Sequence, residues 1–229
     1  GSLTIEIPVS GINPEPGAEY FLNFYVTRAD EWGLMPQDHL YASEQMLLPF
    51  KSEAIQGSTD NLALLDLSSR GTDLTVAGED FALVFDMSQG RMKSFTAYGQ
   101  ELIQAGPVPD FWRAPTDNDY GNGMDKRDAD WKDAGKKAVM KSAGIRQPEM
   151  NTAEIEFTYD ISGLDGRKIA SLVTNYRIFG DATVDVTYRL DKTDLKLEEI
   201  PRVGMVLIMP DRYTDLSWYG RGPHENYSD

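Results

Sequence analysis

Hydrophobic and polar positions alternate along most of this chain, and a period of two predicts β-strands. Thr4 to Val9 places Ile5, Ile7 and Val9 on one face. Asn13-Pro14-Glu15-Pro16-Gly17 is a turn by composition. Tyr20 to Thr27 puts Leu22, Phe24 and Val26 on one face, with Phe21 and Tyr25 on the other. Asp30 to Asp38 is a polar loop, His39 to Leu48 returns to strand, and Pro49 interrupts it. One more short strand is expected over residues 61–67. This first part predicts a small antiparallel sandwich with too few strands to be complete.

Ser68-Ser69-Arg70-Gly71 has the composition of a linker, which places a boundary at residues 68–72. A tight meander follows. Asp73 to Ala77, Phe81 to Met87 and Arg91 to Ala97 are strands, separated by short turns rich in Gly, Asp and Ser. Residues 104–130 are expected to be irregular, and a loop of that length is usually functional or interfacial. Asp128 to Met140 fits either a short helix or a loop leading into a strand. Longer strands are predicted over Ala153 to Ile161, Ile169 to Phe179, Thr183 to Leu190 and Val203 to Met209. Asp165-Gly166 and Gly180-Asp181 mark hairpin turns between them. The fold class is all-β, with a large twisted antiparallel sheet in residues 73–229.

Composition narrows the chemistry. Hydrophobic residues at 41% and charged residues at 26% argue against disorder. Thirty-seven acidic against 22 basic residues give −15, which repels phosphate backbones and anionic membranes. No nucleic-acid or membrane partner is therefore expected, whereas neutral sugars are tolerated. The absence of cysteine removes thiolate catalysis and cysteine-ligated zinc, and two histidines are too few for a histidine-rich metal site.

Two patches stand apart from the strand pattern. The first is Phe111-Trp112-Arg113-Ala114-Pro115-Thr116-Asp117-Asn118-Asp119. Its short polar side chains can bond nearby amides and fix a tight loop, or Asp117 and Asp119 can offer oxygens to a hard cation. Arg113 can pair with either Asp or present a planar donor fork to a ligand. Phe111 and Trp112 can stack on a sugar ring, although aromatics serve ordinary domain packing more often. The second patch is Trp218-Tyr219-Gly220-Arg221-Gly222-Pro223-His224-Glu225-Asn226-Tyr227. His224 beside Glu225 can form an acid/base pair. Sequence neighbours in extended chain point apart, however, which favours a loop-fixing role.

Both patches resemble signatures of bacterial β-galactosidases of glycoside hydrolase family 2. The first match is Arg113-Ala114-Pro115-Thr116-Asp117-Asn118-Asp119 with Gly121 and Trp131-Lys132-Asp133-Ala134-Gly135; the second runs from Trp218 to Asp229. The resemblance implies that residues 1–67 are part of an immunoglobulin-like sandwich. Residues 73–229 would begin a β-supersandwich similar to galactose mutarotases. The family's two catalytic glutamates, and the Mg and Na sites its members commonly use, lie on a (β/α)8 barrel that this chain does not include. The resemblance therefore implies no catalytic residue, metal site or cofactor here.

The resemblance makes the two patches structural signatures at strand ends and domain contacts. By their own chemistry, the candidate contacts with a β-galactoside or other carbohydrate are Trp112, Arg113, Asp117, Asp119, Arg221, His224 and Glu225. The alternatives are an autonomous carbohydrate-binding module contacting sugar through Trp112, Arg113, Trp218 and Arg221, or a mutarotase-like enzyme using His224 and Glu225. A supersandwich stopped part-way leaves sheet edges unpaired. Pairing with a second copy, giving a homo-oligomer, or loosely held last strands are the expected consequences. The compartment stays open between bacterial cytoplasm and periplasm.

Overall fold

The computed structural model describes residues 4–9, 11–50, 61–193, 196–197 and 199–220. The chain divides into two compact units, residues 1–58 and 59–229. The described part of the first is built on one antiparallel hairpin, β1 (Phe21–Thr27) with β2 (Leu40–Leu47). Its register runs from Phe21 opposite Leu47 to Thr27 opposite Leu40. Asn23 and Gln45 face each other, and the Gln45 amide donates to Asn23 at 2.9 Å. The strand expected at Thr4–Val9 does not form, since residues 4–9 have no regular structure. Alternation alone does not make a strand, because each backbone N–H and C=O needs a ladder partner.

The second unit is a sandwich of two antiparallel sheets. The first sheet has the order β3-β4-β5-β6-β7, from β3 (Asp66–Arg70), β4 (Asp73–Ala77), β5 (Phe81–Asp86), β6 (Arg91–Ala97) and β7 (Gln100–Glu101). The second has the order β12-β11-β10-β9, from β9 (Val139–Glu149), β10 (Thr152–Ser162), β11 (Lys168–Phe179) and β12 (Val184–Lys192). In β10 and β11 every second residue is buried, which is the pattern of a sheet with one covered face. Phe85 of β5 meets Phe157 of β10 and Tyr176 of β11 at ring separations of 6.1 and 5.2 Å. These tilted contacts join the two inner faces.

Three expectations are corrected. The strand expected over residues 61–67 starts only at Asp66 and runs on to Arg70. Residues 68–72 are not a linker: Ser68, Ser69 and Arg70 end β3, and Gly71 and Thr72 turn it into β4. Polar Ser and Arg suit the exposed outer strand of the sheet, and Gly71 with φ 62° supplies the tight turn. The break between units lies at residues 58/59 instead. Residues 104–130 are not wholly irregular. They contain β8 (Ala105–Asp110), α1 (Asp117–Asn122), α2 (Met124–Arg127) and most of a 3-10 turn, Ala129–Trp131. Pro107 and Pro109 disguise β8, since prolines argue against a central strand. Here β8 pairs only with β13 (Gly204–Ile208) in a two-stranded ribbon, so one of its sides needs no ladder donors. Of the two alternatives for Asp128 to Met140, the structure has the loop leading into a strand, β9, which starts at Val139. It is an outer strand with mostly exposed residues, so it carries little hydrophobic signal.

Among the described residues no helix is long and apolar enough to cross a membrane.

Candidate ligand-binding cavity

The first patch is built as a braced loop between β8 and α1. Phe111 is buried and meets Trp131 edge-on at 5.4 Å, which pins the strand exit to the 3-10 turn. The Trp112 amide donates to the Asp110 carboxylate at 3.2 Å. Thr116 caps α1: its hydroxyl accepts from the Asp119 amide, and the Asp119 carboxylate accepts in return from the Thr116 amide at 2.8 Å. Arg113 closes the loop by donating both terminal nitrogens to Asp119, at 2.5 and 2.8 Å.

Asp119 is 7% exposed, and both of its oxygens are engaged. It anchors the loop internally. Of the two carboxylates, Arg113 selects Asp119, and Asp117 stays exposed in the first turn of α1. The Arg113 fork, with help from Thr116, holds the Asp119 carboxyl below the usual carboxylate range. A depressed folded value means that its stabilisation is present above the unfolded carboxylate pKa of about 3.9, and is lost as pH falls through the lower folded value. Asp119→Asn is thus expected to melt several degrees below the wild type at pH 7, with the gap narrowing by pH 3. Melting curves at both pH values check this; an equal gap at both would contradict it.

Beside the braced loop opens a cavity of about 600 Å³. Trp112 and Arg113 line it from the loop, and Val108 and Asp110 from β8. Val206 and Ile208 contribute from β13, which the β8 pairing brings alongside. Arg202 reaches in just before β13 and pairs with Asp110 at 3.5 Å. Lys132, Asp133 and Lys136 come from the turn after Trp131, and Arg91 from the start of β6. That turn packs against β8 so tightly that a Cβ on Gly135 would lie 2.0 Å from the Pro109 carbonyl oxygen. Glycine at this position is what lets the lysines approach the strand.

Of the residues singled out in the sequence, Trp112 and Arg113 line the cavity. Asp119 supports it indirectly through Arg113. Arg221, His224 and Glu225 lie outside the described residues, and Trp218 is exposed. Pattern reading missed Arg91, Asp110, Lys132, Lys136 and Arg202. Lys132 lies in the quoted run of residues 131–135 but was not singled out there, and the other four sit in no quoted motif; long-range pairing gathers them.

Residues 77–229 match the family model described as beta galactosidase small chain. The chain belongs to this family. It is 34% identical over 190 residues to the beta-galactosidase of Priestia megaterium, covering 82% of this chain and 18% of that protein. To the beta-galactosidase of Psychromonas ingrahamii it is 29% identical over 234 residues, covering 93% of this chain and 22% of the relative. For the enzyme of Halalkalibacterium halodurans the identity is 28% over 202 residues, covering 85% and 20%. The chain therefore spans about a fifth of the length of these relatives. The match begins at the last residue of β4, so it takes in the sandwich from β5 onward and leaves out β3 and most of β4.

Proposed function

We propose that this chain is a noncatalytic region of a retaining β-galactosidase that hydrolyses terminal β-D-galactosides, and that it supports the catalytic barrel and shapes the rim of its active site. The observation that carries the reading is the alignment with enzymes named beta-galactosidase over most of this chain but only about a fifth of theirs. The use of the first patch agrees with it. Retaining hydrolysis needs two carboxyl groups facing one glycosidic bond, one as acid and one as nucleophile. Asp119 is instead consumed by Arg113 and Thr116, and Asp110 by Arg202 and the Trp112 amide. In this reading residues 73–229 belong to the supersandwich, and the first unit is part of an immunoglobulin-like domain.

The test compares this chain with the protein encoded by its complete reading frame, both assayed on a nitrophenyl β-galactoside. Turnover is expected from the complete protein alone. Comparable turnover by the isolated chain would overturn the noncatalytic role.

The cavity favours a second role beside the first, direct contact with carbohydrate. Its volume lies in the range of small-ligand sites, and it combines an indole with apolar and hydrogen-bonding groups.

A further inference from the structure

The cavity carries a charge opposite to that of the chain. Five cationic side chains line it against two carboxylates, in a protein with net charge −15. These charges are not all spent internally. Arg113 is committed to Asp119, and Arg202 shares Asp110 at 3.5 Å. Lys136 lies 3.7 Å from Asp133 with its own side chain three-quarters exposed, a pairing of little energetic weight. Arg91 makes a single 3.4 Å bond to the Lys136 carbonyl, which leaves its charge uncompensated there. Lys132 is exposed and has no ion pair among the described residues. Three cations, Arg91, Lys132 and Lys136, therefore face one hollow with little to neutralise them.

The other walls select the kind of anion. Trp112 is half-buried at the edge of the cavity, and Val108, Val206 and Ile208 add apolar surface. A bare inorganic anion would leave that surface and most of the 600 Å³ unused. A long polyanion is opposed by the acidic remainder of the protein. A ring with apolar C–H faces and one negative substituent uses both features.

We infer that this cavity takes a saccharide bearing a carboxylate or sulfate group, with its ring against Trp112 and its anion among Arg91, Lys132, Lys136 and Arg202. This deepens the carbohydrate-contact role proposed above and rests on it. Arg113 cannot swing away from its fork with Asp119 without breaking two charged bonds, so the loop that carries Trp112 is already set before ligand arrives.

Calorimetric titration of this chain with galactose, galacturonate, galactose 6-sulfate and inorganic sulfate tests the inference. At low salt the acidic sugars are expected to bind at least tenfold more tightly than galactose, and more tightly than sulfate alone. Which acidic sugar binds better identifies the anionic group. Lys132→Ala, a change at an exposed position, is expected to weaken acidic-sugar binding about tenfold while leaving the circular dichroism spectrum unchanged. Raising the salt to 0.5 M is expected to do the same. Equal affinity for galactose and the acidic sugars would overturn the anionic preference while leaving carbohydrate contact standing. Sulfate binding as well as galactose 6-sulfate would overturn the saccharide. No binding of either acidic sugar at 10 mM would overturn the inference outright. The β-galactosidase reading is decided separately, by turnover of the complete protein.

Discussion

Trp131→Ala is expected to lower the unfolding free energy by about 3–5 kcal/mol, the usual cost of removing a large buried aromatic. Trp131 is fully buried, and its ring is the surface on which Phe111 rests at 5.4 Å. Deleting it leaves a void at the point where β8 gives way to the braced loop. Because Phe111 precedes Trp112 and Arg113, the cavity should loosen along with the core. Urea unfolding followed by circular dichroism gives the stability change, and binding to the cavity gives the second effect. Trp131→Phe provides the control. The indole N–H of Trp131 has no hydrogen-bond partner among the described residues, so phenylalanine loses volume but no polar contact. It should cost clearly less than alanine. Equal losses for the two variants would mean that ring packing is not what Trp131 supplies.

Gly180→Ala is the second large effect, and its cause is backbone crowding rather than lost volume. Gly180 sits in the turn between β11 and β12, where its amide donates to Asn151 at 3.0 Å. A Cβ built there would lie 1.8 Å from the Ala63 carbonyl oxygen and 2.8 Å from its carbon. Backbone atoms cannot swing aside as a flexible side chain can. The segment before β3 must therefore lift from the end of the second sheet. Two bonds go with it, Leu65 N–H to the Met150 carbonyl at 2.8 Å and the Gln147 amide to the Leu65 carbonyl at 3.2 Å. A loss of about 2–4 kcal/mol is expected, in the range of overpacking and broken buried bonds. Hydrogen exchange should report it as faster exchange at Leu65, with little change in β4 to β6. Unchanged protection at Leu65 would show that the turn absorbs the methyl group.

The two halves of the problem were legible to different degrees. The bounds of β4 and β6 were readable to the residue, because each is a short alternating run between Gly- and Asp-rich turns. Strands β10 to β12 were readable to within a residue or two for the same reason. Among the elements that the pattern left unassigned or without bounds were β8 and β9. One hides two prolines in a ribbon, and the other lies at a sheet edge with few buried side chains. Outer elements carry weak patterns because burial, which creates the pattern, is weak there.

Legibility at the patch was of another kind. The short polar run from Thr116 to Asp119 was legible as a locally bonded turn but not as the helix start it forms, and Arg113 called for a carboxylate partner without saying which one. Three-dimensional placement chose Asp119 and left Asp117 in water.

The sequence by itself determined the all-β class, most strands of the sandwich and the resemblance that the family match established. Those properties are local: alternation, turn residues and short motifs act over a few positions. Only the tertiary structure decided that the linker-like Ser68–Gly71 is a hairpin, and that cations from Arg91 to Arg202 converge on one hollow. The cavity exists because β8 pairs with a strand far along the chain and Gly135 lets a turn close on it. Such convergence is set by long-range pairing and close packing, which local sequence does not encode.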